Sequence, residues 1–276
     1  MAYPTVAAPY GYKAVNLIGG QPYAGSTRSL PIQYNYGTAI GYGDPVTLSA
    51  GYVVLPSLPV NTTNTIIGYF VGCYYTNPTT KQRLYSQSYP GSVTAGDITA
   101  IVVDDPDVVL QVAATTTAGG SVIGSISSIL VGQNVAGGTQ TLNTSTGDST
   151  LSVVSASTNT ANAGFRVLQL VPDTQVVTNV TSSAGAIATA TSITVAGLAV
   201  GQYIPVGTDL FNVTSYGLQF TGSTVATAVT ATSSTSQAIT VTAITTAVPA
   251  GGTVALVQTP ECLVKTNFNV HRYNIV

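Results

Sequence analysis

Residues 66–114 read IIGYFVGCYYTNPTTKQRLYSQSYPGSVTAGDITAIVVDDPDVVLQVAA, and this stretch decides the fold class. Ile67, Tyr69, Val71, Cys73 and Tyr75 recur at every second residue, the spacing at which side chains of a pleated strand share a face. Thr76-Asn77-Pro78-Thr79-Thr80 breaks the alternation with turn chemistry, and Arg83 to Tyr89 resumes it. Pro90-Gly91 and Ala95-Gly96-Asp97 mark the next reversal. Ile98 to Val103 is rich in β-branched residues, and Val108 to Ala113 follows the break at Asp104-Asp105-Pro106-Asp107. Four strands joined by three short turns predict an antiparallel meander, with the flanking chain available to close it into a barrel or sandwich.

Composition points the same way. Of 276 residues only 6% are Asp, Glu, Lys or Arg, against roughly 25% in a typical soluble domain. The net charge of −2 offers no basic patch for nucleic acid. Mean hydropathy is +0.36, yet Thr, Ser, Gly and Asn interrupt every apolar run before it reaches the ~20 residues of a spanning helix. Short strands and the absence of Trp argue against a membrane barrel, so no membrane partner is expected. MAYPTVAAPYGYK has neither a basic n-region nor an apolar h-region, so the expected site of synthesis is a reducing cytoplasm. Cys73 and Cys262 are then two small buried hydrophobes rather than a disulfide, and the Asn-x-Ser/Thr triplets at Asn61, Asn143, Asn179 and Asn212 are ordinary loop sequence.

Outward from the central stretch, residues 1–30 carry Pro4, Pro9, Pro22 and four tyrosines, with period 2 only at Val15 to Ile18. This predicts an extended arm; one folded back on its own domain and one reaching a neighbour both satisfy the composition. Alternation returns between Ile32 and Leu55 around the turn Gly43-Asp44-Pro45. Val122 to Val131 has helical spacing, although its serines and Gly124 form helix poorly. Phe165 to Val171 is a clear strand. Between Thr174 and Pro260 the single charged residue is Asp209, and short β-branched runs recur at the spacing of a small sandwich. The expected fold is all-β: an arm at 1–30, a β-tulip or small-barrel host domain at 31–175 plus 260–276, and an inserted sandwich-like knob at 176–259. The nearly uncharged, Thr-rich knob suits an outward face that resists non-specific sticking.

Candidate chemistry is sparse. The one histidine, His271, lies near the end of the chain, and no nucleophile elbow, phosphate loop or dinucleotide motif sits at a strand-to-helix junction. Two cysteines and one histidine make no zinc set, so no catalytic residue, metal or cofactor is assigned. Asp104, Asp105 and Asp107 read as a tight turn whose carboxylates accept backbone N–H groups; a calcium site would need a wider spread of oxygens. Tyrosine, with sixteen copies, pairs apolar area with a hydroxyl and suits surfaces that meet. The candidate contact residues are Tyr3, Tyr10, Tyr12, Leu17, Tyr23, Tyr34 and Tyr36.

Several segments resemble small structural proteins of marine tailed bacteriophages, particularly cyanophages. They are MAYP with Pro9 to Tyr34, YGDPVTL (Tyr42 to Leu48), Gly68 to Gln82, IVVDDPD (Ile101 to Asp107), FRVLQLV, and TPECLVKTNFNVHRY (Thr259 to Tyr273). SITVAGLAVGQYIPVGT (Ser192 to Thr208) is similar to short β modules of phage virion proteins. The resemblance implies a non-enzymatic capsid decoration or cement protein of tulip or small-barrel fold. Such a protein is a homotrimer on the outer surface of the head, with the major capsid protein as partner. A tail or neck component and a glycan-binding adhesin acting through the 176–259 knob are the competing readings.

Overall fold

The computed structural model describes residues 9–57, 65–116, 122–138, 140–154 and 163–267. Among them the chain is all-β, with strands linked by turns and two 3₁₀ turns but no α-helix. In chain order the strands are β1 (Lys13–Leu17), β2 (Arg28–Pro31), β3 (Pro45–Ser49), β4 (Tyr52–Val54), β5 (Gly68–Thr76), β6 (Arg83–Ser86), β7 (Thr99–Val103) and β8 (Val108–Thr115). Then come β9 (Asn134–Val135), β10 (Val153–Val154), β11 (Phe165–Leu170), β12 (Val176–Ser182), β13 (Ser192–Ala196) and β14 (Tyr203–Ile204). The last are β15 (Asp209–Thr214), β16 (Gly217–Thr224), β17 (Val229–Thr230), β18 (Gln237–Thr240), β19 (Thr253–Gln258) and β20 (Glu261–Thr266).

All four strands of the deciding stretch form, but they do not make a meander. β5 is central: β7 pairs along one edge, and β3 and β6 share the other, end to end. The first sheet runs β2-β7-β5-β3-β4, with β6 on β5, and β8 leaves it for a second sheet, β1-β8-β20-β11-β9. β8 takes this course because Asp104 to Asp107 turn the chain out of the plane. Asp105 accepts the Asp107 N–H at 2.8 Å, the Asx turn expected there. None of the sheets closes on itself. The small barrel expected for the host portion is therefore replaced, among the described residues, by open sheets packed across shared cores.

A bulge explains why the alternation in β5 misleads. Between Phe70 and Gly72 the register against β7 slips by one, and Gly72 takes φ 149°. Tyr69 and Val71 consequently point into the core between the two sheets, with Tyr12, Leu110, Phe165 and Val264. Phe70, Cys73 and Tyr75 point into the other core, with Ile40, Val46, Tyr89 and Val102. One strand thus supplies two cores: of the five residues read as one face, Tyr69 and Val71 go to the first and Cys73 and Tyr75 to the second, which Ile67, ahead of β5, joins as well. Gly68 permits this depth: a Cβ there would lie 2.1 Å from the Val103 carbonyl oxygen.

The described part of the arm folds back on its own chain. β1 pairs with β8 and β2 pairs with β7, both antiparallel. Helical spacing at Val122 to Val131 yields only the 3₁₀ turn Ser128–Leu130.

Residues 176–258 carry their own six-stranded sheet, β16-β15-β19-β12-β13-β18, and their own core of Val180, Ile193, Leu210, Val254 and Leu256 among others. The chain leaves through β11 and returns through β20, which pair with each other up to Leu170 and Cys262. Val176 then pairs with Gln258, so the outgoing and returning strands stay side by side.

Candidate interaction surfaces

The contact residues expected from sequence do not share one surface. Tyr12 is 2% exposed and stacks on Phe165 at 4.5 Å, so it is a core residue and offers nothing to a partner. Tyr10 is half-buried, and its hydroxyl donates to Glu261 at 2.9 Å. Leu17 and Tyr23 are half-buried against the core between the sheets, and the Tyr23 hydroxyl donates to the Ser26 carbonyl. Tyr36 lies beside Tyr89 at 6.1 Å, and its hydroxyl accepts the Leu55 N–H. Among the described residues of this set only Tyr34, 60% exposed, presents most of its ring to solvent. Tyr3 and His271 lie outside the described residues.

The acidic cluster is used up locally. Asp104 pairs with Arg28 at 2.8 Å, Asp105 accepts the Asp107 N–H, and Asp107 pairs with Lys265 at 2.7 Å. The three carboxylates diverge, which fits a turn rather than a calcium cage. Both cysteines are free and buried, and burial pushes the Cys73 thiol up to about 12, far from a reactive thiolate.

Two carboxylates have structural posts that sequence reading did not see. Asp209, the sole charge of the 176–258 segment, is buried and reaches across to the 3₁₀ turn after Ser127. It accepts the Ser127 hydroxyl and, at 2.8 Å, the Ser128 N–H. Desolvation raises its pKa, and those hydrogen bonds oppose the rise. Beside it Ser125 donates its N–H to the Val206 carbonyl and accepts the Thr259 N–H at its hydroxyl. Residues 125–128 are therefore the seam between the inserted sheet and the rest. Asp44 is fully buried, accepts the Gly41 N–H at 2.7 Å and also accepts from Gln140. Its other oxygen has no aligned donor. Desolvation raises its pKa to about 7, despite help from Ser149, Gly41 and Gln140.

Two exposed features stand out among the described residues. The first is the β15–β16 ribbon. Phe211 faces Phe220 at 5.1 Å and Val213 pairs with Leu218, so the four side chains lie on one face. Leu218 is 52% exposed, and Tyr216 in the turn is fully exposed. No residue between Leu210 and Thr224 is charged. The inserted segment, expected as a non-sticking outward face, therefore carries exposed apolar side chains on this ribbon. The second is an open groove of about 430 Å³ between the end of β2, the β3–β4 turn and the start of β7, with Tyr34 and Tyr52 on it.

Against protein-family models, curated proteins and solved structures, the chain finds no match.

Proposed function

We propose that this chain is a structural virion protein that decorates and cements a phage capsid. It would sit as a homotrimer on the outer surface of the head and bridge major capsid subunits. The β15–β16 ribbon carries the reading. It is an uncharged, exposed apolar strip on a hydrogen-bonded hairpin, anchored in a sheet with a core of its own. Such a strip suits stable packing against a neighbour, because apolar area stabilises contact at roughly 25 cal/mol per Å² and no charge must be desolvated. The segmental resemblance to phage decoration proteins supports the head as the location. The low charge of the whole chain supports a life in an assembly, since charge is the usual protection of a free protein.

The test is made on particles. Virions imaged by cryo-EM should carry this chain in proportion to the capsid lattice, and the purified protein should scatter light as an oligomer. Replacing Tyr216 and Leu218 with Asp should lower retention on capsids without lowering the melting temperature. Localisation at the tail or neck alone, or a monomer that capsids do not recruit, would overturn the proposal.

A further inference from the structure

We propose that the groove between Tyr34 and Tyr52 is a binding site for a neutral saccharide. The buried side chains of Ile32 and Ile98 back it, and the two tyrosines, 60% and 39% exposed, stand at its rim. Exposed tyrosine rings of this kind pack on the C–H faces of a pyranose, and the hydroxyls at their edges remain free to hydrogen-bond.

Asp97 supplies the polar anchor. Its Oδ1 accepts the Thr76 N–H at 3.0 Å and its Oδ2 accepts the Thr76 hydroxyl at 2.6 Å, which fixes the plane of the carboxylate. Those bonds hold its pKa below the usual carboxylate range, so it stays an acceptor at neutral pH. Each oxygen keeps a lone pair for a ligand hydroxyl. Among the described residues Asp97 is the one charged residue on the groove, which disfavours phosphate, sulfate and carboxylate ligands. A methylated ammonium would gain a cation–π contact with a tyrosine face, worth about 0.5–1 kcal/mol where water reaches it, but it would fill none of the hydrogen-bonding positions that a sugar's hydroxyls can reach.

Two features of the rim have no explanation among the described residues. Gly96 lies outside the left-handed region, and a Cβ there would meet nothing within 4 Å, so neither backbone nor packing demands glycine. Ala50 sits at φ 49° in the two-residue β3–β4 turn, where Asn or Gly would be easier. Both positions line the groove and keep it open. The site does not depend on the capsid reading, because a free protein presents the same groove.

The test uses the full chain and a panel of neutral trisaccharides built from glucose, mannose, galactose or N-acetylglucosamine, read by saturation-transfer NMR and calorimetry. At least one should bind saturably, and a sulfated version of the same sugar should bind more weakly. Tyr34→Ala, Tyr52→Ala and Gly96→Val should each weaken binding about tenfold or more, with the melting temperature unchanged. If Gly96→Val disturbs folding, the tyrosine substitutions decide alone. No neutral sugar bound at millimolar concentration, binding indifferent to both tyrosines, or preference for choline or trimethyl-lysine would each overturn the proposal.

Discussion

Replacing Asp44 with Asn should make the protein more stable at pH 8 and nearly insensitive to pH between 5 and 8 at this site. The carboxyl is buried with one oxygen lacking an aligned donor, and desolvation lifts its pKa from 3.8 to about 7. A raised carboxyl means that the folded state holds its proton longer than the unfolded chain does. Its contribution to stability is therefore complete below pH 3.8, declines as pH rises, and is lost above about pH 7. At 1.36 kcal/mol per pKa unit, the loss amounts to about 4 kcal/mol. Asn keeps an oxygen to accept from Gly41 and Gln140 but never ionises. Urea unfolding at pH 5, 6, 7 and 8 measures both proteins, and the difference between the two curves isolates the site from other titrating groups. Asp209, whose pKa is also raised, is common to both. The difference should grow with pH and reach a few kcal/mol in favour of Asp44→Asn at pH 8. A difference that is flat across the range, or an Asn variant weaker than the parent at pH 8, would refute the reasoning.

Other outcomes follow from single contacts. Asp209→Ala should cost about 2 kcal/mol by stranding the Ser127 hydroxyl and the Ser128 N–H. Hydrogen exchange should then quicken at 125–128 while β5 stays protected. Gly68→Ala forces a methyl against the Val103 carbonyl and should destabilise by about 3 kcal/mol, measured by thermal melting. Ala50→Asn should stabilise by about 1 kcal/mol, because Asn tolerates the positive φ that alanine does not. Both thiols should resist a thiol reagent in the folded protein and react on unfolding.

The class of fold was legible because alternation and turn residues are local signals. β5, β6, β7 and β8 all lie where Ile67 to Ala113 place them. Their order was not legible. A strand buried on both faces needs apolar residues at every position, and the bulge at Gly72 hides the change of face within an unbroken period-2 pattern. β12 carries only a weak signal in the sequence: Val176 to Ser182 is more than half Thr, Asn and Ser, and its inward-facing Val180 and Ser182 become buried only when β19 pairs with it. Asp209 stood out as a lone charge, yet its partners, Ser127 and Ser128, are 82 and 81 residues away and carry no pattern. Tyr12 was chosen for its aromatic bulk, and bulk serves a core as readily as a contact. The groove draws on three separate segments, and Gly96 and Asp97 read only as a turn.

The side-by-side exit and return of the 176–258 segment has a mechanical consequence. β11 and β20 are its two leads, and a pull along their axes moves both in the same sense, leaving the bonds between them unloaded. The load passes instead to the rungs joining β20 to β8 and β11 to β9, which lie across the pull and must yield together. A tug on the inserted sheet along these strands is thus met in shear, the sturdier geometry, whereas a sideways tug would unzip the attachment rung by rung.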